Sequence, residues 1–239
     1  MVSEHPPRCD ISLWGDQGYV RLRDVMGSDL TIVNAARVSY AKRHETLTAG
    51  DRKLIRYLAE HRHTSPFYHG KLQFECRIPL FTARQMFRHI VDSAFVEETP
   101  GWNELSYRYV QEGFVFYRPP AWRLQDPGNK QGSIPAEDPA KAQLLQTLLG
   151  DFYAQSRKLY AIAQAQGVAG ELARLFLPGN AVMTTCYWTA SLWATAHFVR
   201  LRAGEGAQSE IQDVARAVSA LTAPHFPVSW EALQEFGPH

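Results

Sequence analysis

Alternation of apolar and polar residues is clearest between Lys71 and Ile78, where it predicts a β-strand. Side chains along a strand point alternately to the two faces of a sheet, so one face should be buried and the other solvated. Pro79 lacks the N–H that a sheet ladder needs, and it is expected to end the strand. A shorter strand is predicted from Gly18 to Leu22. The residues on the apolar face of the longer strand are Leu72, Phe74, Cys76 and Ile78.

Helical spacing of apolar residues predicts three helices in the first half of the chain. One is capped by Ser28 or Asp29 and runs through Arg37, since short polar side chains favour the N-cap position. The others run from about Ala49 to His61 and from about Phe81 to His89.

The second half is predicted to be mainly helical. A short helix from Gly170 to Leu177 precedes a long, mostly apolar helix from Thr184 to Ala203, which is expected in the core. A further helix runs through Ile211 and Leu221, and Ser229 is expected to cap the last one. Before these helices, an amphipathic helix is indicated by a stripe of Leu145, Leu148, Leu149, Phe152, Leu159 and Ile162.

Between these elements lie two aromatic, β-like segments and two irregular ones. Residues 107–110 and 114–117 are expected to be extended, whereas residues 91–102 and 119–139 are expected to be loops. Strands therefore gather early in the chain and helices late, which favours an α+β fold over alternating βαβ units. The length of 239 residues fits a single domain over 1–239.

Composition narrows the range of partners. A net charge of +1 argues against general binding of nucleic acid, so phosphate recognition must come from a few arginines. The three cysteines have no CxxC spacing, which favours a reducing, cytoplasmic location. No apolar run approaches the roughly 20 residues of a membrane span, and the N-terminus lacks the apolar core of a signal peptide.

The segment Ala83–His89 is the first candidate for chemistry. On a helix, Gln85, Arg88 and His89 share one face and offer an amide, a guanidinium and an imidazole. A guanidinium suits phosphate or carboxylate, and an imidazole exchanges protons near neutral pH. The same face is also compatible with a solvated surface holding an incidental ion pair, for instance to Glu75.

Two further groups of polar residues have functional and ordinary interpretations. Ser106 and Arg108 precede a β-like run and could hold a phosphate, or serve ordinary turn chemistry. Arg202 ends an apolar helix, where it could face a ligand carbonyl that gains negative charge, or simply bind the helix carbonyls. His197 on the same helix could equally be a hydrogen-bonded core residue.

Several common sites are not supported. The histidines between His61 and His69 lack a third ligand at fixed spacing, so no metal is expected. There is no GxGxxG or GxxxxGK[ST] loop, and no cysteine lies beside a plausible base. Any dinucleotide must therefore be bound without a Rossmann or P-loop cradle.

Six segments in order resemble the flavin-dependent thymidylate synthases. The resemblance covers most of the chain, from about Val20 to Leu233. It implies that family's fold, in which helices pack with a small, mostly antiparallel sheet. The six segments are DVMGSDLTIVNAARVS (Asp24–Ser39), HRHTSPFYH (His61–His69), ARQMFRH (Ala83–His89), NELSYRY (Asn103–Tyr109), ELARLFLP (Glu171–Pro178) and LRAGEGAQSEIQ (Leu201–Gln212).

The resemblance also implies an activity and its partners. The substrate would be a uracil nucleotide methylated at C5, with FAD as cofactor, methylenetetrahydrofolate as one-carbon donor and NADPH as reductant. The protein would be a homotetramer whose sites are shared between subunits. No active-site cysteine is required in this family, in agreement with the absence of a suitable one here.

Carried over position by position, the resemblance implies three sets of site residues. Arg202 falls where the family places the arginine that orients and activates the uracil. Residues expected to hold the nucleotide are Gln85, Arg88, Glu104, Leu105, Ser106, Arg108, Arg174 and Arg202, with Arg108 and Arg174 as phosphate candidates. Residues expected to contact the flavin are Ser39, His63, Ser65, Arg88, His89, Asn103, Ser191 and His197.

The chain departs from the family pattern mainly at flavin positions. Ile90 replaces the second arginine of the Arg-His-Arg signature, and about eight residues are inserted within 91–102. Tyr68 replaces a flavin-binding acid, Tyr107 replaces a small residue, and Gly204-Glu205-Gly206 replaces an Asp-Ser-His stretch. Such departures suggest a UMP/dUMP C5-methylase like that of polyoxin-type antibiotic pathways. The alternatives are an ordinary thymidylate synthase acting on dUMP alone and a non-catalytic flavin- or nucleotide-binding homologue. On the long helix, three positions that are usually Asn, Arg and Asn are here Ser191, Trp193 and His197.

Overall fold

The computed structural model describes residues 10–92, 101–110, 112–130 and 132–238, with the side chains of residues 89–92 outside this description. The strands in these ranges are β1 (Asp10–Leu13), β2 (Gly18–Met26), β3 (Lys71–Pro79), β4 (Gly101–Glu104), β5 (Arg123–Gln125), β6 (Ser133–Pro135) and β7 (Met183–Ser191). The helices are α1 (Asp29–Arg37), α2 (Ala49–Glu60), α3 (Leu80–Asp92), α4 (Pro139–Ala165), α5 (Gly170–Ala173), α6 (Leu192–Arg202), α7 (Ser209–Thr222) and α8 (Pro227–Phe236).

Five strands form one sheet in the order β1-β2-β3-β7-β4, and every neighbouring pair is antiparallel. The remaining two, β5 and β6, form a separate antiparallel pair. Together with the eight helices found in the described residues, this arrangement confirms the α+β fold. The strand predicted from alternation is β3, and its apolar side chains are completely buried: Leu72, Phe74, Cys76 and Ile78.

The predicted helix from Thr184 to Ala203 is wrong over its first half. Residues Met183–Ser191 form β7, which lies between β3 and β4 and pairs with both. Threonine and aromatic residues favour a strand once neighbouring strands supply hydrogen bonds, and these partners are distant in sequence. Only Leu192–Arg202 is helical, and the Ser191 hydroxyl caps it by accepting from the Ala194 N–H at 3.2 Å.

Smaller differences concern segment ends. β2 continues to Met26 rather than ending at Leu22, and β1 was not predicted. The last helix begins at Pro227, so Ser229 lies inside it, where its N–H donates to Asp29 at 2.8 Å.

The loops also differ in part from expectation. Residues 107–110 form a turn, in which the N–H groups of Tyr109 and Val110 donate to the Ser106 carbonyl. Residues 114–117 contribute only the isolated bridge of Phe116 with Val182. The predicted loop 119–139 contains β5 and β6. The predicted loop 91–102, which includes the insertion, is wrong at both ends, where residues 91–92 continue α3 and residues 101–102 belong to β4. The rest of that segment lies outside the described residues.

The main core lies between the apolar face of the sheet and the helices packed on it. Trp188 of β7 contacts Phe74 of β3 and Phe198 of α6, with ring centroids 5.7 and 5.3 Å apart. Aromatic pairs in such geometry add to the stability gained from burial. α6 is buried along most of its length, as expected for the helical part of the apolar segment.

A second, smaller hydrophobic cluster lies under α4. The buried residues of this helix are Tyr153, Ser156, Tyr160 and Ala163. Several residues of the apolar stripe predicted from the sequence are exposed, with Leu148 and Phe152 each 55% accessible. We call the exposed apolar residues of this helix the α4 stripe: Leu144, Leu148, Phe152, Leu159 and Ile162.

Candidate active site

The C-terminal end of α6 is the centre of the candidate site. This helix packs against α3, which carries Gln85 and Arg88, and against α7. At its N-terminal end it meets the 3₁₀ helix Ser65–His69, where Trp193 contacts Phe67 with ring centroids 6.1 Å apart. Because α3 and α6 are in contact, the charge of Arg88 acts on Arg202, although the two residues are more than a hundred positions apart in sequence.

Arg202 is half-buried at the end of α6. Burial lowers the pKa of its guanidinium below the ordinary value, and the positive charge of Arg88 on α3 lowers this pKa further. Two cationic groups held near each other attract an anion or a carbonyl that gains negative charge. The structure thus brings together two arginines that the sequence had assigned to one site.

Gln85 lies one turn before Arg88 on α3, where its amide contacts the loop before α7. Its Nε2 donates to Oε1 of Gln208 at 2.6 Å. Gln208 in turn donates through its own Nε2 to Oε2 of Glu210 at 2.9 Å. The alternative partner for this helix face, Glu75, is instead bound by Arg23 and by the hydroxyls of Tyr19 and Tyr187.

Residues 104–108 leave the edge of the sheet as a turn. The Glu104 carboxylate accepts from the Thr184 hydroxyl at 3.2 Å, and the Leu105 N–H donates to the Thr185 carbonyl at 2.9 Å. The Ser106 hydroxyl accepts from the Arg108 N–H at 3.4 Å. The Arg108 guanidinium is exposed, so this turn offers a carboxylate, a hydroxyl and a cation next to β7.

Tyr107 anchors this turn to the protein. Its hydroxyl donates to the Met183 carbonyl, and its ring lies 5.1 Å from that of Phe114. Burial raises the pKa of Tyr107 to about 12, so the hydroxyl remains a donor at neutral pH. The tyrosine that replaces a small residue of the family pattern therefore points into the protein.

The predicted flavin contacts occupy several elements. Ser39 lies in the 3₁₀ helix Val38–Tyr40, and Ser65 lies in the 3₁₀ helix Ser65–His69. Both serines are exposed. Both of these 3₁₀ helices pack against α1. His63 is exposed and stacks on Tyr57, with centroids 5.9 Å apart. Asn103 is exposed on β4. His89 lies in α3, but its side chain is outside the described residues.

The other two flavin positions lie on β7 and α6. His197 is half-buried within α6, between the two ends of the helix. Ser191 ends β7, and its hydroxyl is engaged in capping α6. A capping hydroxyl contributes to helix stability whether or not a ligand is bound.

Arg174 lies apart from these elements. It belongs to the 3₁₀ helix Arg174–Phe176, which packs on α4 and α5. Its Nε donates to the Glu171 carbonyl at 3.0 Å, and the residue is exposed.

Sequence reasoning missed Tyr117, Gln208 and Glu210. Gln208 and Glu210 lie within the segment Leu201–Gln212 that resembles the family. The acidic Glu210 in the first turn of α7 is the feature of the sequence that could have identified them. Nothing in the local sequence connects Tyr117 with them. Its hydroxyl reaches Glu210 Oε1 at 3.1 Å only through the tertiary fold.

The described ranges contain no group of three or more His, Cys, Asp or Glu side chains placed to bind a metal ion. Within them, no helix combines the length and the apolar character needed to cross a membrane.

Comparison with known proteins gives consistent matches. Residues 21–228 match the family described as thymidylate synthase complementing protein. The flavin-dependent thymidylate synthase of Thermus thermophilus is 41% identical over 92% of this chain and 77% of its own length. That of Kosmotoga olearia is 38% identical over 92% of both chains.

A solved structure extends the match to three dimensions. The UMP/dUMP methylase PolB from Streptomyces cacaoi, bound with 5-Br dUMP, superposes with a TM-score of 0.80 and 34% identity. The match covers 92% of this chain and 96% of that one. The complex of the same enzyme with 5-Br UMP gives a TM-score of 0.78. From these matches and the order of its motifs, the chain belongs to the thymidylate synthase complementing protein family, that of the flavin-dependent thymidylate synthases.

Proposed function

We propose that this protein methylates C5 of a uracil nucleotide, UMP or dUMP, in a flavin-dependent reaction. Methylenetetrahydrofolate is the one-carbon donor and NADPH the reductant. The observation that carries the proposal is the half-buried Arg202 at the end of α6, held beside Arg88. The names of its relatives support it, since these are flavin-dependent thymidylate synthases and a methylase of UMP and dUMP.

Arg202 has the properties needed to activate a uracil ring. C5 of uracil is a weak nucleophile until negative charge on the ring oxygens is stabilised. A partly desolvated guanidinium stabilises such charge more strongly than a solvated one, because water screens it less. One well-aimed donor contributes about 3–4 kcal/mol to a transition state of this kind.

The turn at 104–108 and the α3 face are proposed to hold the nucleotide. Glu104, Leu105 and Ser106 supply a carboxylate, backbone groups and a hydroxyl. Gln85 and Arg88 approach from α3. Arg108 is the proposed phosphate ligand, since its guanidinium is exposed and a guanidinium binds phosphate through paired hydrogen bonds.

The donor set proposed for FAD fits an anionic, polar cofactor. Exposed hydroxyls of Ser39 and Ser65, the imidazole of His63 and the amide of Asn103 are suitable hydrogen-bonding groups. Arg88 adds a cation for a pyrophosphate, with His89 and His197 as further candidates. When bound, FAD supplies the hydride chemistry of the reaction.

Release of tritium tests the proposed reaction. Methylation must replace the hydrogen at C5, so [5-³H]UMP and [5-³H]dUMP should both release tritium to water when FAD, methylenetetrahydrofolate and NADPH are present. Omission of the flavin should abolish release. Release from dUMP alone would indicate an ordinary thymidylate synthase. No release from either nucleotide, with flavin bound, would indicate a non-catalytic homologue.

We propose further that the protein is a homotetramer whose sites are completed by neighbouring subunits. The α4 stripe is a row of exposed apolar residues of the kind that marks protein interfaces. Arg174 lies next to this surface, between exposed Leu172 and Leu175, the latter 78% accessible. A second copy covering the stripe would therefore place Arg174 at a subunit boundary.

A charge in the α4 stripe should dissociate the assembly. Leu148→Glu and Phe152→Glu are expected to lower the molecular mass measured by light scattering, because burying an unpaired carboxylate at an interface is unfavourable. Ala161→Glu is the matched control, since Ala161 is exposed on the same helix about 100° round from Ile162. Equal masses for all variants and the wild type would contradict the proposed interface.

A further inference from the structure

A chain of side-chain hydrogen bonds runs from the protein core to the proposed nucleotide site. Tyr117 donates to Glu210, Gln208 donates to Glu210, and Gln85 donates to Gln208, at 3.1, 2.9 and 2.6 Å. We call these four residues the α7 relay. Its last member, Gln85, is one of the residues proposed to hold the nucleotide.

The Glu210 carboxylate determines which group donates and which accepts in each hydrogen bond of the relay. An ionised carboxylate only accepts hydrogen bonds, so every group that contacts Glu210 must donate. Gln208 therefore presents its NH₂ to Glu210 and its carbonyl oxygen to Gln85. Gln85 must therefore donate to that oxygen through its NH₂ group, and this fixes the direction in which its own carbonyl oxygen points. A rotation of 180° about the terminal bond would instead place two like groups against each other.

The first residue of the relay, Tyr117, is held by packing in the core. Tyr117 is 5% exposed, and its ring packs against Trp14 at 5.2 Å and Phe81 at 5.7 Å. Trp14 donates to Asp213 at 2.9 Å, one turn beyond Glu210 on α7. Phe81 lies one turn before Gln85 on α3. The same core contacts therefore hold both helices whose side chains meet in the relay.

From this geometry we infer that Glu210 is a positioning residue for the uracil nucleotide. Glu210 fixes the orientation of the Gln208 amide. The Gln208 amide in turn fixes the Gln85 amide in the orientation that binds the nucleotide. The inference rests on the proposed function, since it assumes that Gln85 contacts the nucleotide. Glu210 acts through Gln208 and Gln85 and takes no part in the bond changes at C5.

Exchanging donor and acceptor tests the relay. In Glu210→Gln, an amide NH₂ can face the NH₂ of Gln208, so the orientation of Gln85 is no longer determined. The KM and the Kd for UMP and dUMP should rise about tenfold, the effect expected of one misdirected hydrogen bond. The kcat should stay within about threefold of the wild-type value. Gln208→Glu alone should be at least as harmful, because two carboxylates then face each other.

The double variant Glu210→Gln with Gln208→Glu should recover nucleotide affinity. The new glutamine donates to the new glutamate, which still accepts from Gln85, and the net charge is unchanged. A residue that merely stabilises the fold would not produce such rescue. Glu235→Gln is a control for the removal of a glutamate charge. Glu235 lies on α8 and pairs with Arg56 of α2 at 2.5 Å. This variant should leave the KM for the nucleotide unchanged.

The outcomes separate the relay from the function. Suppose that the wild-type protein binds nucleotide. An unchanged Kd for the nucleotide in Glu210→Gln, or no recovery of affinity in the double variant, would then overturn the relay and leave the proposed function intact. A wild-type protein that neither binds nucleotide nor releases tritium would overturn both. The melting temperatures of all variants should lie within a few degrees of that of the wild type. If a variant binds nucleotide more weakly only because it is unfolded, that result would count against the relay.

Discussion

Replacement of Arg202 by alanine is expected to lower turnover by about two to three orders of magnitude. The guanidinium lies half-buried at the end of α6, within reach of the positive charge of Arg88. If it stabilises negative charge on the uracil, its loss should affect the transition state more than the bound substrate. The kcat should therefore fall far more than the affinities for flavin and nucleotide. Steady-state kinetics and nucleotide titration of the purified variant would measure the two effects.

Arg200 offers a matched control on the same helix. Its guanidinium donates to main-chain carbonyls of Leu233 and Gln234 in α8. Arg200→Ala should therefore lower the free energy of unfolding, while the folded protein keeps most of its activity. Normal turnover by Arg202→Ala would remove Arg202 from the mechanism. Equal losses in both variants would indicate a general effect of removing charge from α6.

Replacement of Asp51 by alanine is expected to destabilise the protein by about 3 kcal/mol. Its carboxylate is fully buried and accepts from Arg37 at 2.7 Å, from His44 at 2.7 Å, and from the N–H and hydroxyl of Thr48. Removing one partner of a buried ion pair costs about 3–5 kcal/mol. Arg37 and His44 remain partly accessible, which favours the lower end. Denaturation in urea would measure the loss.

The loss should depend on pH in a defined direction. Burial alone would raise the pKa of Asp51, but hydrogen bonds from Thr48, His44 and Arg37 outweigh burial and hold the pKa well below its ordinary value. On acidification the unfolded chain therefore takes up the proton first, near pH 4. The contribution of Asp51 is fully present above that pH and is lost as pH falls toward the folded pKa. The difference between wild type and Asp51→Ala should narrow at pH 3.

Asp51→Asn is the conservative comparison, because an amide oxygen still accepts two of the hydrogen bonds. It should be less destabilising than alanine and should reduce the pH dependence. The segment between Arg37 and Thr48 includes Ser39, a proposed flavin contact, so both variants should also bind FAD more weakly. A stability difference between wild type and Asp51→Ala that grows at low pH would contradict this account.

Some elements could be predicted because their cause is local. The alternation in Lys71–Ile78 requires only that one face of a strand be apolar, and β3 follows it closely. The starts of α1 and α2 were predictable for the same reason, since Ser28 and Thr48 form capping boxes with residues three positions on. The family, and with it a set of candidate site residues, followed from six short segments in order.

Other features depend on partners that are distant in sequence. Residues 183–191 have an apolar composition that fits either a buried helix or a strand, and β3 and β4 decide in favour of the strand by supplying both hydrogen-bonded edges. The exposure of the α4 stripe likewise depends on which side of the helix meets Phe114 and Phe116. A hydrophobic pattern shows that a face is apolar, but not what covers it.

The sequence by itself determined the class of fold, the ends of several helices and the kinds of side chain available for chemistry. Only the tertiary structure placed Arg88 beside Arg202 and joined Gln85 to Gln208 and Glu210, which lie 123 and 125 positions away. The physical reason is that hydrogen bonds and charge interactions act over a few ångströms in space. The chain must fold before residues that are far apart in sequence come within that range.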